Sequence, residues 1–192
     1  FNTSGLVGSR EEYNSPWCNL TKSSGASDKS GSNGGSFGIG KFAPYACSAL
    51  RTVFYSTIDK DDVCASQGVS RLTSFKNKKN EITQGTGFYG NDKNSPMYKQ
   101  YSLDPAYSRN AENSGTDIYI TAFTGDKGWQ HQMVASVLDG FLYAIYNGTL
   151  VVDVDGIIIS KDTLADLMIS HKEYFNEHAD EYYQALTDEK LA

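Results

Sequence analysis

The sequence predicts an α+β fold, a two-layer α/β sandwich with a mixed, mainly antiparallel sheet. Three observations carry that expectation. Runs rich in β-branched and aromatic residues at 51–58, 63–75 and 115–123 are separated by turns and loops, not by helical patterns. The segment 129–148, WQHQMVASVLDGFLYAIYNG, has the three- and four-residue apolar spacing of an amphipathic helix. Strands that mostly follow one another directly suit hairpin-linked pairing better than a doubly wound parallel sheet.

Each element has its own local reason. Residues 1–36 show little periodicity, and 21–36, TKSSGASDKSGSNGGS, offers little apolar surface to bury. Residues 40–50 are compatible with a short helix, with Pro44 in a first turn where its missing N–H costs nothing. RTVFYSTI (51–58) reads as a strand, Asp59–Asp62 as a charged turn, and 63–75 as a strand with a bulge at Gly68. A polar turn at 76–81 leads to an extended glycine-rich stretch, 83–90, and a long polar loop, 91–114. In GTDIYITAF (115–123), Ile118 and Ile120 share one face and Tyr119 takes the other. Along 129–148, Met133, Val134, Val137, Leu138, Phe141, Leu142 and Ile145 make the expected core stripe, and Gly148 suits the helix end. Residues 149–160 read as a hairpin about Asp155-Gly156, 161–170 as a short helix, and 171–190 as an acidic helical tail.

Composition bounds the function. A chain of 192 residues can hold one domain with a sizeable core, or a domain and an appendage. Hydrophobic residues make up 39%, with 13 Tyr, nine Phe and two Trp, which argues against general disorder. The net charge of −6 argues against a general nucleic-acid binder, and the basic turn Lys76, Lys78, Lys79 reads as solvated. No apolar run reaches the roughly 18 residues of a membrane helix, and the start does not read as a signal peptide. Cys18, Cys47 and Cys64 form neither a CxxC pair nor a disulfide framework and read as reduced thiols of a cytoplasmic protein. DVDG (153–156) lacks the further ligands of a calcium loop, and His131, His171 and His178 make no metal set with the cysteines.

The chemistry concentrates in GGSFGIGKFAP, residues 34–44. From Gly35 the spacing is glycine, four residues, Gly40, Lys41, close to a P-loop. Phe42 stands where a P-loop has Ser or Thr, and no buried strand precedes the stretch. Glycines still let the backbone approach an anion, the start of a following helix offers free N–H groups, and Lys41 adds a point charge. That describes a phosphate cradle without a Walker sequence.

Gly35, Phe37, Gly38 and Gly40, followed by a short helix and RTVFYST, resemble the second glycine box of the GHKL ATPases. That superfamily contains gyrase-type topoisomerases, large heat-shock chaperones, histidine kinases and mismatch-repair MutL, and the motif style is closest to its chaperone and MORC-like branches. GTDIYI (115–120) is similar to the later glycine-threonine motif, GASDK (25–29) to the segment before the glycine box, and NTSGL (2–6) to the tail of the first glycine box. The likeness covers roughly residues 2–150.

The resemblance implies a Bergerat-type fold whose N-terminal part is missing. Residues 1–150 would be a partial ATP-binding domain with a lid at about 21–36, and 151–192 a C-terminal hairpin and acidic helical extension. ATP would be the ligand, with Mg2+ held by a residue upstream of this chain. Gly5, Leu6, Gly35, Phe37, Gly38, Ile39, Gly40 and Lys41 would line the nucleotide, Lys29 or Lys22 would reach the phosphates from the lid, and Thr116 would sit near the adenine. Hydrolysis in such a module needs a carboxylate to orient water. No acidic residue here carries over to that role, and Glu11 and Glu12 read as solvated. The expected function is ATP binding and hydrolysis as a conformational switch in a larger protein, with ATP-linked homodimerisation. Alone, the chain is expected to bind ATP poorly and not turn it over. The alternatives are a nucleotide-binding module without hydrolysis and an interaction domain whose glycine loop is structural.

Overall fold

The computed structural model describes residues 4–11, 13–23, 39–101, 105 and 108–188. It divides into two units, Phe1–Thr124 and Gly125–Ala192, each with its own core.

The first unit is built on β1 (Thr52–Ile58), β2 (Cys64–Arg71), β3 (Thr86–Tyr89) and β4 (Gly115–Ile120), in the order β3-β2-β1-β4. All three pairings are antiparallel, so the coarse α+β class holds, with no parallel pair among the described strands. Strand alternation puts Val53 and Tyr55 of β1 on one buried face with Ala65 and Val69 of β2. Helices α1 (Pro16–Thr21) and α2 (Ala43–Ala46) supply Trp17, Cys18 and Tyr45 to the same core. Burying an aromatic side chain such as that of Trp17 removes on the order of 200 Å² from water, about 5 kcal/mol before entropy costs. The start of α1 is locally encoded: the Ser15 hydroxyl accepts the Cys18 N–H at 3.2 Å, and Pro16 follows in the first turn.

The opposite sheet face is aromatic. Phe54 stacks on Tyr101, with ring centres 5.2 Å apart, and meets Tyr89 edge-on. Part of the expected 91–114 loop lies against this face, through a bridge from Met97 to Ser66 and the Tyr101 N–H donating to Ser56 Oγ. Gly68 makes no bulge, because the β1–β2 register runs unbroken from Thr52↔Ser70 to Ile58↔Cys64. A Cβ on Gly68 would lie 2.7 Å from Cε1 of Phe54, so glycine makes room for that ring.

Three expected elements are shorter than their sequence patterns. Residues 72–85 leave the sheet as a narrow hairpin, with Lys76 opposite Ile82, so β2 ends at Arg71. Ala122 adopts a left-handed φ of 47°, and β4 ends before it, at Ile120. The expected helix over 40–50 is a 3-10 turn, Ile39–Phe42, followed by the four residues of α2. Ser48 stops it: its backbone bridges to Phe123 and its hydroxyl donates to the Thr121 carbonyl at 2.6 Å.

The second unit contains α3 (Trp129–Tyr146), β5 (Val152–Val154), β6 (Ile157–Ile159), α4 (Leu164–Ser170) and α5 (Ala179–Thr187). Asp155 and Gly156 both have left-handed φ, 52° and 87°, as a two-residue hairpin turn requires. Val134, Leu138, Leu142 and Ile145 of α3 pack with Val154, Ile159, Leu164, Leu167 and Met168. Met133 and Phe141, expected in the stripe, are 42% and 56% exposed. The Phe141 backbone leaves the helical region, at φ −131°, while the buried positions Val134, Leu138, Leu142 and Ile145 keep three- and four-residue spacing through it. The sequence reading drew its boundary at 150, whereas α3 shares its core with the elements after it. Among the described residues no helix is long and apolar enough to cross a membrane.

Two predictions follow from this packing. Gly68→Ala should destabilise the first unit by roughly 1–3 kcal/mol, measured by urea unfolding, because the Phe54 ring must leave its place. His171 is buried, with Nε2 3.1 Å from His131 Nδ1 and Nδ1 3.0 Å from Ser170 Oγ. Burial, and then the charge of His131, lowers its pKa from the ordinary 6.5. As pH falls below 6.5 the unfolded chain therefore takes up this proton first, and stability is lost as pH drops through the folded value. Unfolding monitored at α3 and α4 resonances should show that loss between pH 7.5 and 5, and His171→Gln should flatten it.

Candidate functional site

The residues singled out by sequence fall into two groups in the first unit. The first group meets at Thr57, near the end of β1. The Leu6 N–H donates to Thr57 Oγ1 at 2.9 Å. The same oxygen is 2.9 Å from Thr116 Oγ1 and 3.1 Å from the Gly115 carbonyl. Gly5–Leu6 and Gly115–Thr116, about 110 residues apart in the chain, thus share one hydroxyl. Gly5 has φ +68°, and a Cβ there would run into the Ile58 carbonyl, so the fold itself requires glycine at this position.

The second group lies at the turn before α2. Gly40 is exposed, lacks a left-handed φ, and has none of the described residues within 4 Å of where a Cβ would be. Among the described residues neither packing nor a left-handed backbone calls for this glycine. Lys41 Nζ donates to the Asn19 carbonyl of α1 at 2.8 Å and lies 5.8 Å from the centre of the Phe42 ring. An ammonium has three N–H groups, so this bond leaves donors for another acceptor. Ile39 contributes backbone to the 3-10 turn, and Lys22 ends α1, its N–H bonded to the Cys18 carbonyl. Because α2 has only four residues, it offers little of the dipole that the sequence reading assigned to the following helix.

Helix α1 links the two groups. The Trp17 N–H donates to the Val7 carbonyl on one side, and Asn19 receives Lys41 on the other. The remaining expected ligands, Lys29, Gly35, Phe37 and Gly38, lie outside the described residues, as does most of the expected lid.

Sequence reasoning missed Thr57 and Arg71. Thr57 was detectable as a polar residue in step with Val53 and Tyr55 on the buried face. Arg71 follows Ala65, Gln67 and Val69 in the same alternation on β2, and its Cζ lies 5.2 Å from the Phe42 ring centre. Two carboxylates adjoin the Thr57 junction in sequence: Asp117, which is bound by Arg109, and Asp59, which is buried and accepts the Asp61 and Val63 N–H groups on Oδ1. Among the described residues no three or more His, Cys, Asp or Glu come together to hold a metal.

The chain matches no protein-family model, no curated protein and no solved structure.

Thr57→Val should strip the Leu6 N–H of its acceptor and cost about 1–3 kcal/mol. Amide exchange should speed up at Leu6 before it does in the strand interiors. Gly5→Ala should cost roughly 1–3 kcal/mol for the left-handed backbone alone, with the clash against Ile58 in addition.

Proposed function

We propose that the first unit is the lid and phosphate-binding half of a GHKL-type ATP-binding module of Bergerat type, serving as a conformational switch in a larger cytoplasmic protein. The observation that carries this reading is the convergence on Thr57 of the two segments that resemble the first glycine box tail and the glycine-threonine motif. A chance pair of short motifs has no reason to share a hydrogen-bonding hydroxyl. Gly40 adds support, because a glycine with open space above it leaves room for a close ligand.

On this reading Gly5, Leu6 and Thr116 frame the base end of the nucleotide, and Gly40 and Lys41 belong to its phosphate end. ATP supplies the phosphoanhydride. The residues described here would bind and orient it, with Lys41 placing positive charge near the phosphates. Among the described residues no carboxylate takes the water-orienting or Mg2+-holding role in this reading. Asp59 is tied into its own turn, which favours nucleotide binding without hydrolysis for this chain alone. ATP-linked pairing of two copies belongs to the proposed larger protein.

Titration of the chain with ATP, followed by amide chemical shifts, tests this. Weak, saturable shifts at Leu6, Gly40, Lys41 and Thr116 are expected, without turnover. Gly40→Val should abolish the shifts at Gly40 and Lys41 while leaving the melting temperature within about 2 °C, since surface changes without packing cost are nearly neutral. An absence of shifts at millimolar ATP, or shifts confined to residues 125–188, would sink the reading.

A further inference from the structure

Lys41 and Arg71 come from different elements and both lie near the Phe42 ring, with Arg71 also beside Tyr45. Arg71 Cζ is 5.2 Å from the centre of the Phe42 ring and 5.7 Å from that of Tyr45, while Lys41 Nζ is 5.8 Å from Phe42. Among the described residues neither has a carboxylate partner, the ion pairs being Arg109–Asp117, Lys172–Asp180 and His178–Glu181. Among the same residues the buried Arg71 Nε has no acceptor, and one terminal nitrogen reaches Thr86 Oγ1 at a long 3.4 Å. Burial, then the charge of Arg71, lowers the pKa of Lys41.

This arrangement is costly as it stands. A buried guanidinium donor without an acceptor forfeits a hydrogen bond, and two like charges oppose each other. The aromatic rings offset part of the cost through their negative faces, but they cannot accept the fork of in-plane donors that Arg71 presents. A tetrahedral dianion fits what is missing: several acceptor oxygens for the fork, and charge for both cations.

We propose that Lys41 and Arg71 form one anion site, over Phe42 and Tyr45, that takes a phosphate group. The proposal rests on the nucleotide reading for the source of that phosphate and for nothing else. It adds Arg71, from β2, to a site otherwise assembled from the glycine segment and α1. Arg71 acts as the bidentate partner and Lys41 as the point charge.

The test uses the whole 192-residue chain with inorganic phosphate in one arm and ATP in the other, each against chloride at equal ionic strength. The readouts are the Arg71 Nε–H signal, the Lys41 amide and the thermal midpoint. Phosphate should move both signals saturably and raise the midpoint, and chloride should do neither. Arg71→Lys keeps the charge but loses the fork, and should weaken phosphate binding by about tenfold or more. Lys41→Met should weaken it similarly, and unchanged phosphate affinity in that variant would count against the site. Arg71 and Lys41 signals that stay still in both arms would overturn it. Saturation by phosphate with no response to ATP supports the anion site and removes the nucleotide as its source. A response to ATP at Leu6 and Thr116 with Arg71 silent overturns the pair and leaves the nucleotide reading standing.

Discussion

The hydroxyl of Thr57 holds together three segments that are far apart in the chain. β1 is the central strand of the first unit, flanked by β2 and β4, and it forms much of the floor of the core. Near its end, Thr57 turns that strand into an anchor. The Leu6 amide docks on it from the N-terminal segment, and Gly115 and Thr116 dock on it from β4. Val7 then receives the first-turn N–H of α1, and α1 places Trp17 over the sheet. The helical layer is thus registered on the sheet at this end through a side chain as well as through apolar packing, which alone is poorly directional.

The two glycines at the candidate site illustrate how structure can separate architectural from functional demands. Gly5 is needed by the backbone it touches, so its presence says little about a ligand. Gly40 is needed by nothing described. The cations follow the same logic. Arg109 is spoken for by a bidentate bond to Asp117, whereas Arg71 and Lys41 meet only rings, a weak hydroxyl contact and a carbonyl. Among the described residues, unexplained chemistry therefore gathers around Gly40, Lys41 and Arg71.

Much of the architecture was legible because local patterns and tertiary packing agree. β1, α3 and the Asp155-Gly156 hairpin each announce themselves through period or turn chemistry. α1 did not, since six residues are too few for a helical period, although Ser15-Pro16 was a usable start signal. The expected stripe of α3 is wider than the buried one, because Met133 and Phe141 each sit one position before a buried residue, at the edge of the apolar face. Gly68 was misread because the cause of its conservation of space is a ring on the neighbouring strand, which no local pattern encodes. The candidate site was legible in its motifs but not in its joints. Thr57–Leu6 and Lys41–Asn19 link residues 51 and 22 positions apart, and only folding brings them together.

The Thr57 junction carries two threonine hydroxyls, each with one proton and two lone pairs. Thr57 accepts from the Leu6 N–H, and its own proton has two acceptors in reach, the Gly115 carbonyl and Thr116 Oγ1. If the proton goes to the carbonyl, Thr116 donates to Thr57 and turns lone pairs outward. If it goes to Thr116, that hydroxyl keeps a proton to give. Two rotating hydroxyls thus let this end of β1 meet a donor or an acceptor without moving the backbone.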